Sequence, residues 1–444
     1  MFKQFYRGIA TMLAVVVIFT LPEQRFPAFA AEVSQKTMVT ISVRSSQSSE
    51  LESRLDIDSP EIAQALNNAK KENVTNASCM TDIYVTMLQG NQEKRFRLEQ
   101  SGNLWDESEL KRLVLPRNVS SKLLNYADTL RKNHYGKLIS WEDAEHIVSR
   151  KSIFSITDLE TGLTFQVQRR AGNDHADVQP LTKEDTKIMK QIYNGRWSWK
   201  RKAILVHSNH EWLAASMNGM PHGGDGIPDN GFSGHFCVHF FRSTTHRSND
   251  PDLAHQLMVH KAAGNLRSFF DSASPLILAE SFVEAMNQQD SEILRQVSEG
   301  IAKEKFEFFI QEMESLMSIR TKKHRGSGNT DNTNDSGWDE NLSVELELQV
   351  AIHKKGDSKR NIAYLFIFNR KSKQSPWRIE DIVANGEQGT QKEKHDSQNQ
   401  SRMSEDNDDN NGDRTPISNE YLRHVIVGWS LTLYWLDYAA NPNN

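Results

Sequence analysis

The stretch from Gly234 to Phe240 alternates between polar and apolar side chains. Successive side chains of a β-strand point to opposite faces, so this alternation predicts a strand with two different faces. One face carries His235, Cys237 and His239, and the other carries Phe236, Val238 and Phe240. The aromatic and β-branched face can be buried in a core. The opposite face then presents a thiol flanked by two imidazoles.

Upstream of this strand, His222 lies in a Met-Pro-His-Gly-Gly sequence whose turn residues can fold back over the polar face. A thiol beside imidazoles suits cysteine acyl transfer, because the thiolate is the nucleophile and an imidazole generates it at neutral pH. We therefore predict that Cys237 is the nucleophile and His222 the base. His235 is predicted to orient and polarise this pair. Backbone N–H groups of the glycine-rich Asn230–Gly234 loop are expected to hold the oxyanion.

The length and charge of the chain limit its architecture and its partners. With 444 residues it exceeds an ordinary single domain, so two or three domains are expected. A formal net charge of -5 over this length argues against a dedicated nucleic-acid binder, and no nucleic acid is expected as a partner. No cofactor is predicted.

The N-terminus has the three parts of an export signal. Lys3 and Arg7 form a basic start, Gly8 to Leu21 an apolar run, and Ala28 to Ala30 a small-residue cleavage site. We therefore predict a signal peptide cleaved after Ala30, and a protein that is secreted or associated with the cell envelope. An uncleaved N-terminal anchor is the alternative.

Export makes the cysteine content informative, because disulfides form in oxidising compartments. Cys79 and Cys237 are the only two cysteines in the chain. A disulfide between them is one interpretation, and an inert, half-buried Cys237 is another. The histidines around Cys237 favour a third interpretation, in which Cys237 is a free and reactive thiol.

The chain is predicted to be an α+β multidomain protein built from six segments. They are a signal peptide at 1–30, a small α/β accessory domain at 31–135, a mainly β catalytic domain at 136–272, an α+β domain at 273–386, a disordered polar linker at 387–414 and an apolar segment at 415–444. The linker is too polar to pack in a core. The apolar segment is predicted either to contact a membrane or protein partner or to dock as a strand onto one of the domains.

Local patterns and capping residues predict the main helices and strands. Helices are expected at Ser59–Lys71, Ser120–Lys132, Thr182–Gly195, Asp252–Gly264, Leu276–Gln289 and Phe306–Met317. Strands are expected at Met38–Val43, Ile83–Leu88, Lys94–Glu99, Ile153–Ile156, Leu163–Val167, Ala203–Val206, Trp212–Met217, Ser343–His353, Asn361–Asn369 and Trp377–Val383. In the last domain, helices followed by long antiparallel strands resemble the nuclear-transport-factor-like cone fold.

The central motif resembles the catalytic signature of the L,D-transpeptidases of peptidoglycan, over about Ile153 to Gly264. The matching positions are His222 and Gly223 for the family's His-Gly pair, His235 for its second histidine, Cys237 for its nucleophile and Val238 for the next residue. Gly234, Phe236 and His239 depart from it, standing where the family has serine, glycine and arginine. The resemblance implies an L,D-transpeptidase-like fold, a thioester on Cys237, and stem peptides as the substrate.

Two residues are predicted to bind the substrate. Gly234 lies in the loop that would hold the oxyanion, and His239 replaces the family's arginine. Since a histidine carries a charge only when it is protonated, His239 would bind a substrate carboxylate in that form. The alternative is that His239 is a polar residue facing solvent.

Other interpretations of the motif stay open. His175 and Asp177 are interpreted as loop residues, with support of the active site as the alternative. A zinc-dependent peptidase would need ligands such as His222 or His175, because His235 and His239 are about 13 Å apart along an extended strand. No metal ligand is predicted. A non-catalytic envelope protein that binds the cell wall or a partner is the remaining alternative.

Overall fold

A computed structural model describes residues 37–385 of the chain, apart from 75–78, 225, 246–247, 323–337 and 339. The predicted signal peptide, polar linker and apolar C-terminal segment lie outside these residues. The described part from Thr37 onward belongs to one compact unit. It is an α+β protein with several sheets, including a closed barrel and a four-stranded antiparallel sheet. No helix in this part is long and apolar enough to span a membrane.

The first sheet has seven strands, in the order β2-β1-β4-β5-β6-β7-β3. Its strands are β1 (Thr37–Val43), β2 (Ser53–Ile57), β3 (Lys70–Asn73), β4 (Cys79–Gln89), β5 (Gln92–Glu99), β6 (Leu104–Asp106) and β7 (Lys111–Val114). Helices α1 (Pro60–Asn67) and α2 (Arg117–His134) pack on one face of it through a shared apolar core. The predicted N-cap Ser59 is confirmed, because its hydroxyl accepts from the N–H of Ile62. The helix predicted to run to Lys71 ends at Asn67, since Lys70 and Lys71 pair in the sheet.

The second sheet closes into an antiparallel barrel in the order β10-β13-β12-β11-β8-β9. The elements of this region are α3 (Trp141–Ile147), β8 (Ile153–Asp158), β9 (Thr164–Ala171), β10 (Ala176–Pro180), α4 (Lys183–Ile192), β11 (Arg201–Ser208), β12 (Glu211–Asn218), β13 (Phe236–His239), β14 (Thr244–Thr245), β15 (Ser248–Pro251) and α5 (Leu253–Ala262). Thr182 and Asp185 form the predicted capping box of α4. Strand β10 was not predicted.

The interior of the barrel follows the alternation read from the sequence. Phe236, Val238 and Phe240 are each 0% exposed and lie in the barrel core. Cys237 and His239 therefore lie on the outer face of β13. Helix α5 covers part of that face, because His255 of the helix stacks on His239. The predicted two-faced strand is confirmed.

The last region places helices before a four-stranded antiparallel sheet in the order β16-β17-β18-β19. Its elements are α6 (Leu266–Ser272), α7 (Pro275–Gln288), α8 (Ser291–Val297), α9 (Lys303–Ser315), β16 (Leu316–Thr321), β17 (Ser343–Lys354), β18 (Arg360–Asn369) and β19 (Arg378–Asn385). The predicted end of the second helix is wrong: α9 stops at Ser315, and Met317 belongs to β16. This sheet, its helices, α5 and the outer face of β11 share one apolar core.

A buried ion pair fixes α5 against α8. The Lys261 side chain is 8% exposed, and its Nζ lies 2.6 Å from Asp290 Oδ2. Asp290 also caps α8, accepting from the N–H groups of Glu292 and Ile293. The same Nζ lies 3.8 Å from Glu160 in the turn between β8 and β9. Lys261 therefore links helix α5, which covers part of the outer face of the barrel, to α8 and to the turn between β8 and β9.

Replacing Lys261 with methionine is expected to lower the free energy of unfolding by about 3–5 kcal/mol, because the change leaves a buried carboxylate without its counter-charge. Urea denaturation followed by circular dichroism measures the loss. Lys303→Met is the matched control: that side chain is 83% exposed and its ion pair is 3.9 Å long, so a change below about 1 kcal/mol is expected. Equal losses in both variants would contradict a structural role for the buried pair.

Candidate active site

The proposed nucleophile is a free thiol on the outer face of the barrel. Cys237 is 6% exposed and forms no disulfide in the structure. Cys237 is thus a free thiol in the structure, and its predicted reactivity stays a prediction. Strand β13 fixes the thiol, because the residues on both sides of it are buried in the barrel core.

His222 approaches Cys237 from the loop after β12, as the turn residues predicted. His222 and His235 form an antiparallel bridge, with N–H to carbonyl distances of 2.9 Å and 2.7 Å. His222 Nε2 lies 3.2 Å from Cys237 Sγ. Its Nδ1 lies 2.8 Å from the carbonyl oxygen of Met220. A carbonyl only accepts, so Nδ1 carries a proton, and Nε2 accepts from Cys237 when it is a thiol and donates to it when it is a thiolate.

Two glycines make this bridge possible. A Cβ on Gly234 would lie 2.3 Å from the carbonyl oxygen of His222, and a Cβ on Gly223 would lie 2.2 Å from the His235 ring. Both glycines also have a positive φ, +87° and +74°, which other residues rarely adopt. The position of Gly234 is therefore explained by the close approach of the two backbone segments. Its predicted contact with substrate stays a prediction.

His175 and Asp177 also lie at the thiol: His175 is in the loop before β10, as interpreted, whereas Asp177 is a strand residue and its interpretation as a loop residue is wrong. Asp177 is in β10 directly opposite Cys237, and its Oδ1 lies 3.9 Å from the sulfur. His175 Nε2 lies 3.2 Å from the same carboxylate oxygen, and its Nδ1 lies 2.9 Å from the carbonyl of Thr244. Both side chains are almost fully buried, at 1% and 4% exposure of the residues. The thiol therefore lies between His222 and His175.

The charges of the site favour an ionised thiol. Burial raises the pKa of Cys237, but hydrogen bonds to His175 and His222 outweigh burial and leave this pKa below its usual value. The hydrogen bond to Cys237 raises the pKa of His222. Burial lowers the pKa of His175, yet its bonds to Asp177 and Cys237 raise it overall to about 10. A thiolate is the form that the two imidazoles stabilise together.

His235 lies beside the pair formed by His222 and Cys237. Its ring is 4.5 Å from the His222 ring, between centroids, and its Nε2 lies 3.5 Å from Asp177 Oδ1. The group that orients the base by a hydrogen bond to Nδ1 is the Met220 carbonyl. The sequence placed His235 in the site but gave no signal for the carbonyl, because backbone geometry decides which carbonyl faces the ring.

His239 does not face solvent, and its position does not fit a charge-bearing contact with substrate. The residue is 2% exposed and is stacked between His175 and His255, with ring centroids 4.3 Å and 3.7 Å away. Burial and the neighbouring histidines hold its pKa well below the usual range, so the ring is neutral. Within the described residues its Nδ1 has no hydrogen-bond partner. His255, itself held neutral by burial, is bonded to Ser216 at 2.9 Å.

The loop between His222 and His235 lines a surface cavity of about 580 Å³. Asn230 anchors this loop: its side-chain amide donates to the carbonyl of Pro180 at 2.8 Å, and its carbonyl accepts from Thr186 at 2.7 Å. The half-exposed Trp199 packs with its ring 5.0 Å from that of His222. A partly exposed aromatic ring therefore lies against the base, and the loop that follows the base in sequence lines the cavity.

Two groups of side chains in the site could also hold a metal ion. Within each group the ligand atoms all lie within 4.8 Å of one another: His222, His235 and Cys237 form one group, and His175, His239 and Cys237 form the other. Such distances allow ligands to share an ion such as zinc. His235 and His239 belong to different groups, as their separation along the strand predicted.

Comparisons with models of protein families, with characterised proteins and with solved structures found no match to this chain. The function is therefore inferred from the geometry of the site and from the sequence motif.

Proposed function

We propose that this protein is an exported cysteine acyltransferase of the L,D-transpeptidase or L,D-carboxypeptidase type that acts on peptidoglycan stem peptides. One observation carries the proposal: Cys237 Sγ lies 3.2 Å from His222 Nε2, on a ring whose other nitrogen donates to a carbonyl. This is the arrangement of a nucleophile and a base that a third group orients. The motif around Cys237 supplies the substrate class.

The proposed reaction has two halves. His222 Nε2 takes the thiol proton, and the sulfur attacks a peptide carbonyl carbon to form a tetrahedral intermediate. As the C–N bond breaks, Nε2–H gives its proton to the leaving amine, and a thioester with Cys237 remains. In the second half an acceptor amine or water loses a proton to His222 and attacks the thioester, which releases the thiolate. Transpeptidation and hydrolysis differ only in this acceptor.

The anionic oxygen of the intermediate needs hydrogen-bond donors. The loop that ends at Gly234 lines the surface cavity and leads directly into the strand that carries Cys237, and its backbone N–H groups are the proposed donors. Removing one such donor from an enzyme typically costs about 3 kcal/mol of transition-state stabilisation. Asn230 supports this role, because its hydrogen bonds hold the loop in one conformation.

The finer fold assignment belongs to the same proposal. The barrel that carries the motif is the proposed L,D-transpeptidase-like domain, and the helices with the sheet β16–β19 are the proposed nuclear-transport-factor-like cone. Helix α7 packs against that sheet through Phe282, which contacts Phe366 at 5.6 Å between ring centroids. Because one fold can serve many functions, this likeness adds nothing on substrate.

A zinc-dependent peptidase is the second candidate, favoured by the two groups of ligand atoms around Cys237. The two candidates respond differently to a strong zinc chelator. A cysteine acyltransferase keeps its activity after prolonged treatment with 1,10-phenanthroline, whereas a zinc peptidase loses it. A non-catalytic envelope protein would show no Cys237-dependent turnover under either condition.

Cys237→Ala is expected to abolish turnover of purified disaccharide tetrapeptides, because no other group at the site can form the thioester. Chromatography with mass spectrometry measures the products, and intact-protein mass spectrometry detects the acyl-enzyme on the parent protein alone. Thermal melting of both proteins controls for folding. Activity retained in Cys237→Ala, or no turnover by the parent with any stem peptide and amine acceptor, overturns the proposal.

A further inference from the structure

We propose that one face of the first sheet binds an acidic glycan chain, with Arg97 on an anionic group of the chain and Trp105 against a sugar ring. The inference goes beyond the proposed acyl transfer, because this surface lies on β1–β7 and not on the barrel that carries Cys237. From the sequence it takes only the predicted export, which brings a protein into contact with the glycan chains of the cell envelope.

A row of directly opposed residues crosses six strands of the first sheet. In spatial order from β2 to β7, its members are Arg54, Ser42, Tyr84, Arg97, Trp105 and Arg112. Opposed residues share one face of an antiparallel sheet. Neighbouring residues along the strands, such as Ile41 and Val85, belong to the core beneath α1 and α2, so the row lies on the face turned away from these helices. The row therefore places two aromatic rings among three arginines on that face.

The same face borders two cavities that meet at Arg97. One cavity, of about 730 Å³, lies over β1, β4 and β5, and the other is a cleft of about 1930 Å³ between the sheet and helices α8 and α9. Arg97 and Glu107 line both cavities, and Trp105 lines the cleft. Small-molecule pockets usually measure about 300–1,000 Å³, so the two cavities together are larger than a small molecule needs. They suit a chain of several linked rings.

Arg97 differs from its neighbour in the row because it has no carboxylate partner. Arg112 is held by both carboxylate oxygens of Glu99, at 2.7 Å and 2.9 Å. Arg97 is half-buried and forms no ion pair with any residue that the structure describes. Its Nη1 donates to the hydroxyl of Tyr84 at 2.9 Å, and its guanidinium carbon lies 4.7 Å from the centre of the same ring. Since a partly buried charge is costly without a partner, Arg97 is the position at which an anion is expected to bind.

The two residues opposite Arg97 in the row can contact a sugar. The hydroxyl of Tyr84 accepts from Arg97, so its own hydrogen is available to a ligand. Trp105 is partly exposed and lines the cleft, and an indole ring offers a flat apolar face on which a sugar ring can pack. A charged sugar can therefore use the cation, the hydroxyl and the indole face at the same time.

The other charges around Arg97 limit how densely the bound chain is charged. Four arginines line the cavity over β1, β4 and β5, but three glutamates line it too. Two of these glutamates pair with arginines, Glu52 with Arg44 at 2.9 Å and Glu93 with Arg95 at 3.7 Å. Such a mixed surface repels a nucleic acid, which carries a phosphate on every nucleotide. A glycan with anionic groups on only some of its sugars fits the surface better.

Isothermal titration calorimetry of the full chain tests the surface with a hyaluronan decasaccharide, in which neutral and carboxylated sugars alternate. We expect binding to the parent, a loss of about tenfold or more in affinity for Arg97→Met, and a loss of about tenfold for Trp105→Leu. Arg170→Met and Trp212→Leu are the matched controls, because these exposed side chains lie on strands of the barrel. The affinity of both controls is expected to equal that of the parent.

Three results of this titration overturn the proposal: no binding of the decasaccharide by the folded parent, equal affinity of the parent and Arg97→Met, or equal affinity of the parent for a neutral chitin oligosaccharide. Tighter binding of single-stranded DNA than of the decasaccharide assigns the surface to nucleic acid and also overturns the proposal. Thermal melting shows whether each variant is folded.

Hydrogen exchange of the unsubstituted protein keeps the proposal testable if a variant does not fold. With the decasaccharide bound, slower exchange is expected in residues 84–86, 95–97 and 104–106, the segments of β4, β5 and β6 that carry the row. Slower exchange confined to the barrel, or no change in exchange, overturns the proposal.

Cys237→Ala separates this proposal from the proposed function. The variant is expected to bind the decasaccharide like the parent, because Cys237 lies on the barrel and not on the first sheet. If the parent turns over no stem peptide but binds the decasaccharide through Arg97, the proposed function falls and the glycan surface stands. Weaker binding by Cys237→Ala places the glycan at the barrel and overturns the glycan surface.

Discussion

His222→Ala is expected to lower kcat/KM for a stem-peptide substrate by about 10²–10⁴-fold, the usual contribution of a general acid and base. The reason is the position of Nε2 at 3.2 Å from the sulfur, the distance at which a proton can pass between them. The thiol pKa is expected to rise only part of the way to the free value of about 8.5.

Two measurements on this variant separate its roles. The pH dependence of alkylation gives the thiol pKa, and single-turnover experiments give the rate of thioester formation. His239→Ala serves as the control, since that neutral ring does not contact the reacting proton, and little change in the thiol pKa is expected. If His239→Ala shifts the thiol pKa while His222→Ala does not, His222 is not the base.

Gly234→Ala is expected to lower kcat/KM almost as much as His222→Ala does, although the substitution adds only one methyl group. Its Cβ would lie 2.3 Å from the carbonyl oxygen of His222, and the φ of +87° adds roughly 1–2 kcal/mol of strain. The bridge between His222 and His235 must open to relieve the contact, which moves Nε2 away from the sulfur. We expect at least about a 10²-fold loss in kcat/KM, because the base is lost.

Gly224→Ala provides the matched control in the same loop. A Cβ at that position has no atom within 4 Å. Activity and melting temperature are therefore expected to stay close to those of the parent. Steady-state kinetics and thermal melting of the two variants measure the difference. If both alanines are tolerated, the tight bridge does not position His222.

The sequence predicted the strand that carries the nucleophile because alternating polar and apolar residues indicate a strand with one buried face and one polar face. Phe236 and Val238 are removed from water only when their face of the strand packs in a core. Strand β10 escaped prediction because Pro180 and Asp177 are both unfavourable in strands. The spacing of Ala176 and Val178 was the available signal, since both are 0% exposed and place Asp177 on the opposite face.

The surroundings of His239 could not be predicted by the same reasoning. Alternation assigned it correctly to the face of Cys237, but a strand pattern does not tell which element covers that face. Helix α5 covers it, and burial beneath His255 removes the charge that the comparison with an arginine had implied. Likewise, β16 follows α9 directly, and the helical spacing of Phe309, Met313 and Leu316 continues across the boundary, so the change from helix to strand at Leu316 had no local signal.

The stacked imidazoles of His175, His239 and His255 make the free energy of unfolding depend on pH. Burial keeps His239 and His255 neutral in the folded chain. Below about pH 6.5 these two rings therefore bind a proton only when the chain is unfolded. The free energy of unfolding then falls by about 1.4 kcal/mol per pH unit for each ring. His175, with a pKa of about 10, acts oppositely and loses its contribution as pH rises from about 6.5 to 10. Acid and alkali thus weaken the stack through different rings, and its contribution to stability is greatest near pH 6.5.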